Sequence, residues 1–237
     1  MQKVKYEDII SVDKKLKSAG LNYVFIGGSV LQFLIEDPLA SPVRTTFDID
    51  IVLDVLTDPG QIQLEKKLSS AGFRHDISEG APRCRWVTDD NIKVDILSTK
   101  EKFSGNNSKW LAETVSSPFL IKRDENVFKI ASPACFIALK LEAFTDRGND
   151  DFLGSKDLED LIAVVDGRAE IVKEIFESNK LVAQFISEKL AQLLKNNEFI
   201  ASIAGHLMPD PASQERRHIV FDRLKKMSKH DKKDDKI

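Results

Sequence analysis

The sequence predicts an α+β fold: a mixed sheet flanked by helices (residues 1–115), then a mainly helical domain (116–225), then a basic tail (226–237). Three observations carry this reading. Short apolar runs rich in β-favouring residues, at 23–26, 47–53 and 91–97, are bounded by turn-forming residues. From Ser132 onward the apolar residues recur at helical spacing instead. Between the two halves, across 99–118, the composition shifts through the polar stretch KFSGNNSK at 102–109.

In chain order, Ile9, Ile10, Val12 and Leu16 mark a covering helix over Tyr6–Ala19 that closes at Gly20. The run Tyr23–Ile26 reads as a buried strand stopped by Gly27-Gly28-Ser29, with Ser29 capping a helix over Val30–Ile35. A loop with Pro38, Pro42 and Arg44 leads to a second strand, Phe47–Leu53. A Pro-Gly turn and a helix over 61–71 follow, then strands at Phe73–His75 and Arg83–Val87, a polar turn at Thr88–Asn91, and the strand 91–97. Residues 119–130 form a hairpin around Arg123–Asn126. Ser132 caps the first long helix and Pro133 sits in its first turn, where a missing N–H costs nothing. Helices are expected over 132–147, 155–166, 168–177, 180–195 and 197–206. The end, HDKKDDK, lacks apolar residues and reads as a frayed, solubilising tail.

The bulk properties narrow the function classes. The 237 residues include 35 Lys/Arg and 38 Asp/Glu, with 42% hydrophobic and 31% charged residues. Such a chain buries a sizeable core, and its slight acidity argues against a protein that coats nucleic acid. It contains no apolar run of about 18 residues, as a membrane helix would need. The opening MQKVKYEDII lacks the apolar core of a signal sequence. Cys84 and Cys135 lie far apart without metal-type spacing. The expectation is a cytoplasmic protein with reduced cysteines and no membrane partner, Cys135 being core.

The chemistry concentrates in three places. On the strand Phe47–Leu53, Asp48 and Asp50 alternate with apolar residues, and a side-chain period of two puts both carboxylates on one face. Adjacent carboxylates repel unless a cation lies between them, and Mg²⁺ or Mn²⁺ takes hard oxygen ligands of this kind together with substrate phosphates. Asp95 alternates with Val94 and Ile96 on a later strand and is the candidate third acid. Three converging carboxylates are able to hold two metal ions ~3.5–4 Å apart. The turn Gly27-Gly28-Ser29 at a helix start offers backbone N–H groups to a phosphate, and Arg44 is placed ahead of the acidic strand to reach one. His75 stands alone and reads as a surface or core residue. Arg83 and Arg85 alternate on their strand, where a solvated edge strand is the simpler reading than a phosphate contact.

Gly-Gly-Ser after a strand, Asp-Ile-Asp in the next strand and an Asp in a later one resemble, in this order, the signature of the DNA-polymerase-β-like nucleotidyltransferase superfamily. The segment from Ser29 to Asp48 is longer than the superfamily's compact pattern, so residues 37–46 are expected as an extra loop. A second motif lies in ALKLEAFTDRGNDDFLGSKDLEDLIAVVDGR, residues 138–168. Lys140, Ala143 and Arg147 share one helical face, and Asp157 and Asp160 sit three apart on the next helix. This arrangement suits a triphosphate; the blander alternative is an interhelix salt-bridge cluster on a bundle surface. The segment is similar to the last motif of the AbiEii/AbiGii family of nucleotidyltransferase-like toxins of bacterial toxin–antitoxin and phage-defence operons.

That resemblance implies a nucleotidyltransferase core with a helical domain completing its nucleotide site. Gly27, Gly28 and Ser29 would hold the triphosphate of an NTP; Asp48 and Asp50 would bind metal, with Asp95 as third acid. Lys140 and Asp157 would match the last motif. Two features depart from the family: Ile49 stands between the acids where a basic residue is common, and few helices follow residue 170. The expected activity is transfer of a nucleoside monophosphate to an acceptor hydroxyl, on tRNA or another RNA if the toxin likeness extends to function, with an antitoxin as partner. The alternatives are a small-molecule or protein nucleotidyltransferase, and a catalytically idle module of the same fold that binds a nucleotide or a protein. A nuclease suits Gly-Gly-Ser and the Lys140 helix less well.

Overall fold

The structure, a computed structural model, describes residues 3–54, 59–99 and 108–229. The predicted tail HDKKDDK and most of the predicted loop KFSGNNSK lie outside the described residues. The described residues divide into two compact units, one drawn from 1–30 and 44–132, the other from 31–43 and 133–237.

The first unit is a sheet with its covering helices. Helix α1 (Tyr6–Ser18) buries Ile9, Val12 and Leu16, and Gly20 closes it with φ +61°, a conformation that suits glycine. Strand β1 (Tyr23–Ile26) is buried at every position, which requires a place inside the sheet. The chain then passes through a 3-10 turn, Gly28–Val30, and through α2 (Leu31–Leu34), which belongs to the second unit. It returns as β2 (Ile49–Leu53), α3 (Pro59–Ser70), β3 (Phe73–His75), β4 (Arg85–Thr88), β5 (Lys93–Ser98), α4 (Trp110–Ser116), β6 (Phe119–Arg123) and β7 (Asn126–Ile130). The strand order is β3-β4-β5-β2-β1-β7-β6. Pairing is parallel for β2 with β5 and β1 with β7, and antiparallel elsewhere. The sheet is therefore mixed, as expected.

Two expectations change here. The hairpin β6–β7 completes one end of the sheet, so the sheet unit runs on to Ser132, past the shift in composition. Along the hairpin Leu120 and Val127 are exposed at 62% and 47%, whereas Phe128 and Ile130 are fully buried. The helix expected at Val30–Ile35 is a tight turn, Gly28–Val30, plus one short helix, Leu31–Leu34. The Ser29 hydroxyl donates to the carbonyl of Ile26 at 3.3 Å, back toward the strand it follows.

The second unit comprises α2, α5 (Pro133–Arg147), α6 (Lys156–Gly167), α7 (Ile171–Phe176), α8 (Lys180–Leu193), α9 (Asn197–Ser202), a 3-10 turn at Ile203–His206, α10 (Pro211–Glu215) and α11 (Arg217–Met227). Ser155 caps α6, accepting from the N–H of Leu158. Residues 37–43 of the predicted extra loop belong to this unit. Arg168, 3% exposed, holds Glu174 through a two-point fork, Glu36 at 2.8 Å and the carbonyl of Leu34 at 3.0 Å. Arg216 bridges Asp37 and Asp166, both at 2.7 Å. Gly167 leaves room for Ile35, since a Cβ there would lie 2.6 Å from its methyl group. No helix among the described residues is long and apolar enough to cross a membrane.

Phe25 anchors the sheet unit: it is fully buried and meets Tyr23 and Phe128 edge-on, at centroid distances of 5.5 and 6.2 Å. Phe25→Ala should cost about 3–5 kcal/mol of stability, read from the urea-unfolding midpoint. A loss under about 1 kcal/mol would mean that the neighbouring rings close the gap.

Candidate active site

Register decides which acids meet. β2 pairs with β5 so that Asp50 lies opposite Asp95, and β5 pairs with β4 so that Asp95 lies opposite Arg85. Directly paired residues share a sheet face. Arg85, Asp95 and Asp50 therefore form a row across three adjacent strands. Asp48 precedes β2 by one residue and reaches the same place: its Oδ2 accepts from Arg85 Nη2 at 2.6 Å. Its Oδ1 accepts from the Thr46 hydroxyl at 3.2 Å.

The turn after β1 stands against this row. Gly27 has φ +69°, and a Cβ on it would collide with the Asp50 carboxylate. A Cβ on Gly28 would lie 2.8 Å from Arg44 Nη2, so both glycines permit close approach of charged side chains to backbone. Ser29 is buried. With α2 so short, little helix dipole stands behind the turn, and any anion there would rely on the turn's own N–H groups and Arg44.

Arg85 is what the sequence reading missed. It does not lie on an edge strand, because β3 covers β4 on its outer side. Its guanidinium donates from Nε to Asp95 Oδ1 at 2.7 Å and from Nη2 to Asp95 Oδ2 at 2.8 Å, while the same Nη2 serves Asp48. The Arg85 side chain is 14% exposed. The paired Asp95 carboxylate, against the opposing effect of burial, raises the guanidinium's pKa further above its ordinary range, so it is permanently charged. The signal for this pairing was in the sequence: the turn Asp89–Asn91, with Asn91 at φ +61°, fixes a hairpin in which Arg85 faces Asp95. Burial, then the charge of Asp95, pushes the neighbouring Cys84 thiol up to about 11, so it is protonated at neutral pH. His75 stacks on Trp86 at 3.7 Å between ring centroids and takes no part in the row.

The oxygen donors are of the type a hard divalent cation takes. As the side chains stand, however, no group of three or more His, Cys, Asp or Glu among the described residues is arranged to hold a metal ion. Arg85 engages two of the three acids instead.

In the helical unit, Lys140, Arg147 and Asp157 come together as the motif suggested. Lys140 Nζ lies 3.0 Å from Asp157 Oδ1 and 2.6 Å from Asp160 Oδ2. Arg147 grips Asp157 from its exposed side, with Nε 3.0 Å from Oδ2. Burial drives the Asp157 carboxyl up, but Lys140 and Arg147 outweigh it and hold it below the ordinary carboxylate range. Asp160 is fully buried and belongs to the same cluster.

The sequence matches no protein-family model and no curated protein. Among solved structures, an antigenic nucleotidyltransferase-like protein from Paracoccidioides brasiliensis superposes with a TM-score of 0.52 at 17% identity, over 85% of this chain and 94% of that one. This chain has a nucleotidyltransferase-like fold. JHP933 from Helicobacter pylori gives a TM-score of 0.46 at 15% identity, over 93% of this chain and 89% of that one. The lincomycin-bound lincosamide antibiotic adenylyltransferase LnuA gives 0.42 at 15%, over 69% and 98%. Within the nucleotidyltransferase-like fold, the acidic row and the glycine turn are the features with evident chemistry.

Two outcomes follow. Gly27→Ala should lower stability by about 1–3 kcal/mol through its positive φ alone, and more through the clash with Asp50; thermal melting measures both. Because the Asp157 pKa is lowered on folding, its contribution is present above its unfolded value, 3.8, and lost as pH falls through the folded one. Asp157→Asn should therefore cost on the order of 2 kcal/mol at neutral pH, and the difference from the parent chain should shrink in urea titrations below about pH 4.

Proposed function

We propose that this chain is a nucleotidyltransferase that moves a nucleoside monophosphate from an NTP onto an acceptor hydroxyl. The observation that supports this most is the in-register pairing of Asp50 with Asp95, with Asp48 beside them and the Gly27–Gly28 backbone against Asp50. In the reaction the acceptor oxygen bonds to the α-phosphorus, the bond from that phosphorus to pyrophosphate breaks, and the hydroxyl proton leaves to a base. Asp48, Asp50 and Asp95 are the residues that would hold Mg²⁺ or Mn²⁺. A bound divalent ion would lower the pKa of the acceptor hydroxyl and offset charge on the leaving pyrophosphate.

The remaining roles belong to the chain's own groups. Gly27, Gly28 and Ser29 bring backbone N–H groups to the triphosphate, and Arg44, lying against Gly28, adds a fixed positive charge. Asp95 takes the acceptor proton once one of its oxygens is released by Arg85. Lys140, Arg147 and Asp157 are the candidate second set of nucleotide contacts; their mutual ion pairs orient the lysine. By likeness to the toxin family, the acceptor is an RNA hydroxyl such as a tRNA 3′ end, the setting a toxin–antitoxin pair, and the partner an antitoxin.

One observation favours a second reading. Arg85 neutralises part of the charge on Asp48 and Asp95, which makes the acidic row tolerable in a catalytically idle module that only binds a nucleotide or a protein. An assay with Mg²⁺ or Mn²⁺, each α-labelled NTP and total tRNA separates the two. Transfer of label, lost in the Asp48→Asn/Asp50→Asn chain by about 10³-fold or more while its melting temperature holds, supports the enzyme. Pyrophosphate release only with cell extract moves the acceptor to a small molecule or protein, and NTP binding without turnover favours the idle module.

A further inference from the structure

We infer that Arg85 is an internal cation that competes with a divalent metal ion for Asp48 and Asp95, so that metal enters only as the guanidinium leaves. This rests on the metal-dependent reading of the acidic row given above. Three features of the geometry carry it. Arg85 uses both oxygens of Asp95 and Oδ2 of Asp48, at 2.6 to 2.8 Å, and those are the oxygens a hard cation would need. Charge-assisted bonds of this kind are the strong ones, and the two-point fork on Asp95 fixes their direction. β4 is hydrogen-bonded to β3 on one side and β5 on the other, so its backbone cannot withdraw. Only rotation of the Arg85 side chain frees the acids.

The consequence is a conformational toll on metal affinity. When the binding-competent form is a minor fraction of the population, the apparent affinity falls by that fraction. The released guanidinium remains a planar fork suited to phosphate oxygens. Arg85 thereby couples metal entry to arrival of an anionic substrate: the group that must leave the acids is one that a triphosphate attracts. It is a positioning residue that sets when the acids are available.

The test is Mn²⁺ binding to the full chain without nucleotide, followed by calorimetry and by electron paramagnetic resonance. R85Q should bind Mn²⁺ tighter than the parent by about tenfold or more, the ratio expected if the released form is a tenth of the population or less. R85K, which keeps a cation, should fall close to the parent, and R85Q/D95N should lose the gain. A purely structural strut would not tighten metal binding when removed, so equal or weaker binding by R85Q overturns the inference while leaving the enzymatic reading intact. Absence of Mn²⁺ binding in both parent and R85Q overturns the inference and the metal-dependent reading together. If R85Q does not fold, the parent chain decides: the Arg85 Nε–H resonance, assigned by its loss in R85K, should shift and lose solvent protection as Mg²⁺ is added. An unchanged resonance at saturating Mg²⁺ overturns the competition.

Discussion

Two aspartates placed opposite each other on paired strands repel at close range, and a fold that keeps them there has to supply positive charge. In this protein the register of β2, β5 and β4 supplies it from the third strand, as Arg85. The rest of the sheet unit is arranged around that requirement. β3 covers β4 and keeps Arg85 inside the sheet, β1 delivers the Gly27 turn against Asp50, and Phe25 with its aromatic neighbours holds β1 in place. The apolar residues flanking Asp50, Ile49 and Ile51, are fully buried on the opposite face and fix which way the carboxylates point.

What was legible in the sequence follows the range of the physics involved. Asp48, Asp50 and Asp95 were readable because alternation along a strand is local, and it assigns a face to each residue without knowledge of the neighbours. The pairing of Arg85 was semi-local: the turn Asp89–Asn91 determines it, but only if the two flanking runs are read as one hairpin with a defined register. Treated as an isolated strand, the same arginine looked like a solvated edge residue. The turn after β1 was legible only in part, for a related reason. Small polar residues after a strand serve helix caps and tight turns alike, and the positive φ at Gly27 selects the turn.

The segment 31–43 shows where sequence reading ends. Its prolines and polar residues describe the part after Leu34 as a loop, yet nothing local says which unit holds it. The answer lies in Arg168 and Arg216, far along the chain, whose guanidinium groups take Glu36 and Asp37 together with partners inside the helical unit. Such forks form only where two acids already flank the arginine, a long-range coincidence that composition and periodicity do not encode. The Lys140–Asp157–Arg147 cluster is the opposite case, since helical spacing and one short connection suffice to bring its members together.

The charge balance of the acidic row bears on what the site is for. Arg85 sets one guanidinium against the carboxylates of Asp48 and Asp95 in a partly buried place. Burial first, then the charges of Asp95 and Asp50, raise the neighbouring Cys84 thiol. Carboxylates gathered beside backbone that glycine leaves bare are oxygen donors of the type a hard divalent cation takes. Arg85 is the counter-ion that ties Asp48 to Asp95 across the strands, and any cation entering the row has to reckon with it first.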